Sequence, residues 1–193
     1  PRSTQSRSSA ASDVYKRQEE LNRFKDAGDF YIESAKMFNE AKDYINASYA
    51  YHAAAEQYER DGEYEKAAVA YQESAICNMR VRDTAGASTS LKKSAANYEI
   101  TRNFEKAIDA YARSAGIDTN NRQYLEAADT FEKIAGCYNE MNDNDNAIYY
   151  HLKSADIRLT NQELKNAATN YREIGTIYKK NGDHKKAVEY YLK

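Results

Sequence analysis

The side chains able to do chemistry are few and poorly spaced for it. His52, His151 and His184 stand in separate stretches, and no two have the spacing of metal ligands. His151 falls where the chain otherwise repeats an aromatic residue, so it reads as a packed ring. Cys77 and Cys137 lie far apart, with no CxxC and no neighbouring histidine pair. That is the pattern of two helix-packing thiols in a reducing compartment. Carboxylates are plentiful, but an acid–base pair needs two of them in unequal, desolvated surroundings, and nothing here sets that up. There is no phosphate loop and no nucleophile elbow. Ser74, Ser114 and Ser154 recur at a fixed interval and belong to the packing. The expectation is no catalytic residue, no metal and no cofactor; an enzyme would need a catalytic domain outside these residues.

Charge is the one chemical feature with a pattern. Offsets of three and four put Lys66, Val69 and Glu73 on one helical face. Lys106, Asp109 and Arg113 follow, then Asn146, Tyr149 and Lys153, then Lys186, Glu189 and Lys193. This stripe holds six basic and three acidic side chains on a chain of net charge −2. One reading is a basic ridge that speeds encounter with an acidic helical bundle and fixes its register. Its binding residues would be Lys66, Lys106, Arg113, Tyr149, Lys153 and Lys186. The other reading is a solvated face of the kind exposed helices carry. The evenly spaced tyrosines invite a third idea, a platform for stacked nucleobases, but that needs an electropositive groove. The net charge opposes it, so the tyrosines read as core and nucleic acid is not an expected partner.

These residues are positioned by a repeat. Ala47, Ala87, Ala127 and Ala167 lie forty residues apart. Four residues on stand Tyr51, Leu91, Phe131 and Tyr171; four further, Ala55, Ala95, Ala135 and Gly175; three further, Tyr58, Tyr98, Tyr138 and Tyr178. Such offsets trace one face of a helix, here helix A. A second series marks helix B: Ala67, Ala107, Ala147 and Ala187, then Tyr71, Tyr111, His151 and Tyr191, then Ser-Ala pairs at 74, 114 and 154. Phe24, Ala27, Tyr31 and Ser34-Ala35 fit an earlier helix B. Asp61-Gly62, Thr101-Arg102-Asn103, Asn142-Asp143-Asn144 and Asn181-Gly182-Asp183 separate A from B. Gly, Asn and Asp tolerate the left-handed conformations that end helices, and connections this short force antiparallel neighbours. Small residues let backbones approach at helix crossings, and stacked hairpins bury a continuous core that one hairpin cannot. The predicted fold is all-α: a right-handed TPR-like α-solenoid of antiparallel helix hairpins with a 40-residue period.

Composition agrees. One proline and seven glycines in 193 residues leave few helix breakers, and no apolar run approaches a membrane span. Residues 1–18 stand apart. They are serine-rich without apolar period, and Asp13-Val14-Tyr15-Lys16-Arg17-Gln18 resembles an in-frame translation of a transposon-end sequencing adapter. They read as a disordered scar, with 19–193 as the repeat domain. Four basic residues against Asp13 give the scar +3, so residues 19–193 carry −5. The pattern runs on through Tyr190-Tyr191-Leu192-Lys193 without a stop signal, and the expectation is a fragment truncated at both ends.

The pattern large-x3-small-x2-Tyr, followed by Ala-x3-Tyr-x2-Ser-Ala, resembles tetratricopeptide repeats, whose usual period is shorter. Longer helices would supply the extra residues. Two long-repeat groups are similar: the soluble NSF attachment proteins (SNAPs), and scaffolds of the kinesin-light-chain and spindle-orientation kind. The run from Tyr31 to Tyr44, followed by Ala47 and Ala50-Tyr51-His52-Ala53-Ala54, looks like the early repeats of a SNAP. Phe104-Glu-Lys-Ala-Ile108 and Ser154-Ala155-Asp156 look similar as well. The SNAP resemblance implies an adaptor without catalytic chemistry, cytoplasmic and peripheral to membranes. Such an adaptor lies along the SNARE four-helix bundle and recruits the NSF ATPase that pulls the bundle apart. Membrane contact would come through an N-terminal loop missing here. The lysines with which that family touches SNAREs sit two residues after the repeated Ala of helix B, where this chain has Val69, Asp109, Tyr149 and Glu189. The alternative is a general TPR scaffold that holds a peptide or helix of another partner. A repeated peptide clamp would place matching polar residues on helix A, and the corresponding Glu56, Ala96, Gly136 and Thr176 do not match.

Overall fold

The computed structural model describes residues 23–193; the expected scar at 1–18 lies outside the described residues. Within them the chain forms nine helices and no strand. The first, α1, spans residues 23–40. Then come α2 (Tyr44–Asp61), α3 (Tyr64–Arg80), α4 (Thr84–Ile100) and α5 (Phe104–Asn120). The series ends with α6 (Tyr124–Glu140), α7 (Asn144–Thr160), α8 (Leu164–Lys180) and α9 (His184–Tyr191). Even-numbered helices are the A series and odd-numbered helices the B series. From α2 onward, extensive packing joins each helix to the next along the chain. The result is an all-α solenoid of antiparallel hairpins, in which each hairpin leans on its neighbours.

From Tyr44 onward a helix begins every twenty residues. Most are 17 residues long, against a three-residue connection. Longer helices therefore do account for the forty-residue period, and each rises about 25 Å. The repeated alanines at 47, 67, 87, 107, 127, 147, 167 and 187 are all buried, one at each crossing. Tyr51, Leu91 and Phe131 fill the space beside them. Buried hydroxyls find acceptors: Tyr58 donates to Asp29 (2.6 Å), Tyr71 to Glu59 (3.2 Å) and Tyr111 to Glu99 (2.5 Å).

The turns differ from the sequence expectation. Left-handed backbone occurs at Gly62, Asn142 and Gly182, but also at Lys42, Arg82, Arg102, Arg122 and Gln162. At each turn two hydrogen bonds close the helix. Around Arg82, for example, its own N–H donates to the Met79 carbonyl (3.1 Å) and the Asp83 N–H to the Asn78 carbonyl (2.9 Å), a Schellman closure. Asp83 then caps the next helix by accepting from the Gly86 N–H (2.9 Å). One residue ends one helix and starts the next, so geometry fixes the conformation whatever side chain stands there. The cost of a non-glycine residue, about 1–2 kcal/mol, is offset in part where a cation faces the helix C-terminus. Asn144, expected in a turn, is instead the first residue of α7.

Candidate functional site

The charged stripe lies on the B helices α3, α5, α7 and α9. Lys66, Lys106, Arg113, Tyr149, Lys153 and Lys186 are all exposed there. They follow the B ridge through four hairpins as one row, and no enclosed site gathers them. The row rests on aromatic rings of the same chain. The ammonium of Lys66 lies 5.6 Å from the Tyr58 ring centre, that of Lys106 5.3 Å from Tyr98, and that of Lys186 5.0 Å from Tyr178. Lys153 lies 4.1 Å from Phe131. The aromatic series read as core thus has a second task, because each ring presents its negative face to a cation eight or more residues along. Asn146 breaks the lysine series; its amide is taken up by Asp143 (2.7 Å).

Acidic neighbours temper this ridge. Arg113 reaches Asp109 at 3.9 Å, Lys66 reaches Glu63 at 3.5 Å and Lys186 reaches Asp183 at 3.6 Å. Glu65 lines the trough beside Lys66, and Glu105 the trough beside Lys106. Tyr149 stands 55% exposed, edge-on to Tyr150. Val69, its counterpart two repeats earlier, is 50% exposed. The ridge therefore offers alternating cations and apolar points, with carboxylates between them.

A second group of polar residues carries no shared residue type to mark it in the repeat. Four residues beyond each repeated serine stand Asn78, Asp118 and Arg158, all buried between consecutive A helices. Arg158 donates to Glu132 (2.9 Å) and Glu163 (2.6 Å) and pairs with Asp129. Asn170 adds a bond to the same Glu132 oxygen (2.7 Å), and His151 sits against Asn170 at 3.0 Å. Asp118 accepts from Ser88 (2.5 Å) and pairs with Lys92 (2.8 Å). They share the helix B face of Ser74, Ser114 and Ser154, which lie one turn earlier and are buried too. What they would meet depended on the neighbouring A helices.

The remaining chemical groups are held quiet. Burial, with Glu99 beside it, pushes the Cys137 thiol up to about 12, and burial raises Cys77 too. His52 packs edge-on to Tyr71 at 5.0 Å, and burial with Lys93 nearby lowers its pKa. His52, His151 and His184 stay on three separate helices. No cluster of His, Cys, Asp and Glu suited to a metal occurs among the described residues, and none of their helices is long and apolar enough to cross a membrane.

Solved structures share the architecture. BtubC (BKLC) from P. vanneervenii matches at 22% identity with a TM-score of 0.61, over 90% of this chain and 72% of that one. A Podosopora anserina protein described as a kinesin light chain with nearly identical TPR-like repeats matches at 13% identity and 0.63, over 96% and 92%. Aspartyl phosphate phosphatase F from Bacillus subtilis matches at 18% and 0.62, over 91% of this chain and 47% of that one. At such identities the likeness is one of fold. No curated protein sequence matches the chain. The family model described as soluble NSF attachment protein, SNAP, matches residues 81–193. That stretch begins downstream of the Tyr31–Ala54 run but includes Phe104–Ile108 and Ser154–Asp156. It covers more than half of the sequence, and the chain belongs to the soluble NSF attachment protein family.

Proposed function

We propose that this chain is a non-enzymatic adaptor that lies along a SNARE four-helix bundle and presents it to an NSF-type ATPase, on the cytoplasmic side of membranes. The observation that carries this reading is the family match across residues 81–193. The ridge gives it a physical form. A rod-shaped bundle offers recurring acidic side chains along its length, and Lys66, Lys106, Arg113, Lys153 and Lys186 recur along the solenoid. Rim charges of this kind speed encounter and set register, while affinity comes from the apolar points between them. Tyr149 and Val69 are those points. They stand where the family carries lysine, so this ridge would grip by packing as much as by charge.

The test is binding of the chain to a preassembled SNARE bundle and to separate SNARE helices, followed by anisotropy at low and physiological salt. The bundle should be preferred. The double variant Lys106→Glu, Arg113→Glu should bind about tenfold more weakly, with a flatter salt dependence. Failure of the intact chain to bind the bundle removes the adaptor reading. Unchanged affinity of the helical double variant removes this ridge from it. The alternative is a general TPR scaffold that holds a peptide or helix of another partner.

A further inference from the structure

The A helices occupy equivalent places in the solenoid but bury unlike side chains. α2 buries one polar residue, Ser48, and α6 one, Thr130. α4 buries four: Ser88, Ser90, Ser94 and Asn97. Ser94 stands where α6 and α8 have Ile134 and Ile174, and Asn97 where they have Cys137 and Ile177. Part of this polarity is matched. Ser88 donates to Asp118 (2.5 Å) and the Asn97 amide to Glu59 (2.6 Å). The Ser94 hydroxyl and the Asn97 side-chain carbonyl have no partner among the described residues. Ser94 is 0% exposed and Asn97 2%, so water cannot stand in. Each such group weakens the packing that encloses it, because it gives up hydration and gains no bond.

The apolar core parts at the same level. One cluster joins Ala54, Ala55 and Tyr58 of α2 to Ala67 and Tyr71 of α3. A second runs from Ala95 and Tyr98 of α4 through α5 to Phe131 and Ile134 of α6, with Ala68 as the α3 contribution. Between the clusters Ser74 of α3 meets Ser90 of α4 at 3.4 Å. Beside that contact a cleft of about 500 Å³ opens between α2 and α4, and Asn78 lines it as well. In its first two turns α4 carries Gly86, Ser88, Thr89 and Ser90, residues that hold a helix less firmly than Ala or Leu.

We propose that the seam between α3 and α4 is a hinge, about which α1–α3 and α4–α9 move as two blocks. Each block keeps its own apolar cluster, and Arg158 ties α7 to α6 in the second. Opening at the seam gives water to two groups that already lack a bond. Opening between α5 and α6 would instead expose Phe131 and Ile134, so the seam is the easier place to yield. The basic ridge crosses the seam between Lys66 on α3 and Lys106 on α5. Bending there resets their spacing and lets one chain follow surfaces of different curvature.

Spin-label distances and amide hydrogen exchange test this. Arg60, Ile100, Glu140 and Lys180 are exposed, forty residues apart, and each lies in the last turn of an A helix. Labels at 60 and 140 span the seam, whereas labels at 100 and 180 span an equal stretch inside the second block. Cys77 and Cys137 are buried thiols of raised pKa and stay unlabelled. Pulsed spin resonance should give the 60–140 pair a distance distribution about twofold broader than that of 100–180. Amides of α4 should exchange about tenfold faster than those of α6. Ser94→Ala removes the unpaired hydroxyl; it should slow α4 exchange about tenfold and narrow the 60–140 distribution. Thr89→Ala, an exposed change on the same helix, should slow exchange only about threefold, through helix propensity alone. Equal widths for the two pairs, or a Ser94→Ala effect no larger than that of Thr89→Ala, overturns the hinge. These measurements use the free chain, so they stand or fall apart from SNARE binding.

Discussion

Replacing Arg158 by methionine keeps most of the apolar stem and removes the guanidinium that ties α7 to α6 and to the α7–α8 turn. Arg158 is 5% exposed, and its bonds go to three carboxylates of unequal burial. Asp129 is 69% exposed and Glu132 34%. A buried ion pair broken on one side costs about 3–5 kcal/mol, while an exposed pair is worth about 0–1 kcal/mol. Asp129 falls under the second figure. Glu132 retains Ser154 and Asn170 as donors after the substitution, which softens the first. The loss expected for Arg158→Met is therefore about 2–3 kcal/mol. For a domain of this size that lowers the melting temperature by roughly 5–10 °C. Urea unfolding of Arg158→Met, Glu132→Gln and the double variant would measure it. The cycle should give a coupling of about 1–2 kcal/mol. A loss under about 0.5 kcal/mol, or additive single effects, would refute the claim that this cluster staples the C-terminal hairpins.

Glycine gives an internal contrast. Gly116 and Gly136 are interior helical residues with nothing near a new methyl group, so Gly→Ala at each should stabilise by about 0.5–1 kcal/mol. At Gly28 a methyl would lie 2.8 Å from the Tyr58 ring, which Asp29 holds in place; Gly28→Ala should destabilise by about 1–3 kcal/mol, and urea midpoints would show a gain there if that reasoning fails. His52 has a lowered pKa in the folded chain, so the unfolded chain takes up the proton first as pH falls. Stability should be full above about pH 7 and decline as pH passes down through the ordinary histidine value of roughly 6.5. In His52→Gln that part of the decline should vanish, and identical pH profiles would contradict the shift.

Periodicity made the solenoid legible. Alanine at forty-residue intervals with aromatics one turn away can satisfy only one arrangement, a stack of hairpins whose crossings are small and whose gaps are filled. The exposed ridge was legible for the same reason, since a helix face follows from offsets along one chain. The left-handed turns were read in part. The sequence named the breakers Gly62, Asn142 and Gly182, yet Lys42, Arg82, Arg102, Arg122 and Gln162 adopt the same backbone. There the conformation is dictated by two closing hydrogen bonds and a shared cap, which leave no trace in residue type.

Other features were settled between helices forty residues apart. The seating of lysines on tyrosine rings, the carboxylates around Arg158 and the ion pair of Asp118 each join side chains whose phase was known but whose neighbours were not. The α2–α4 cleft is the clearest case. Asn78, Asp118 and Arg158 occupy one place in the repeat, as their forty-residue spacing in the sequence shows, and all three are buried. Only the tertiary structure decided that Asp118 and Arg158 find partners while Asn78 faces open space. A side chain's place on its helix follows from its own stretch of sequence, whereas its hydrogen bonding depends on what the next helix brings within 3 Å.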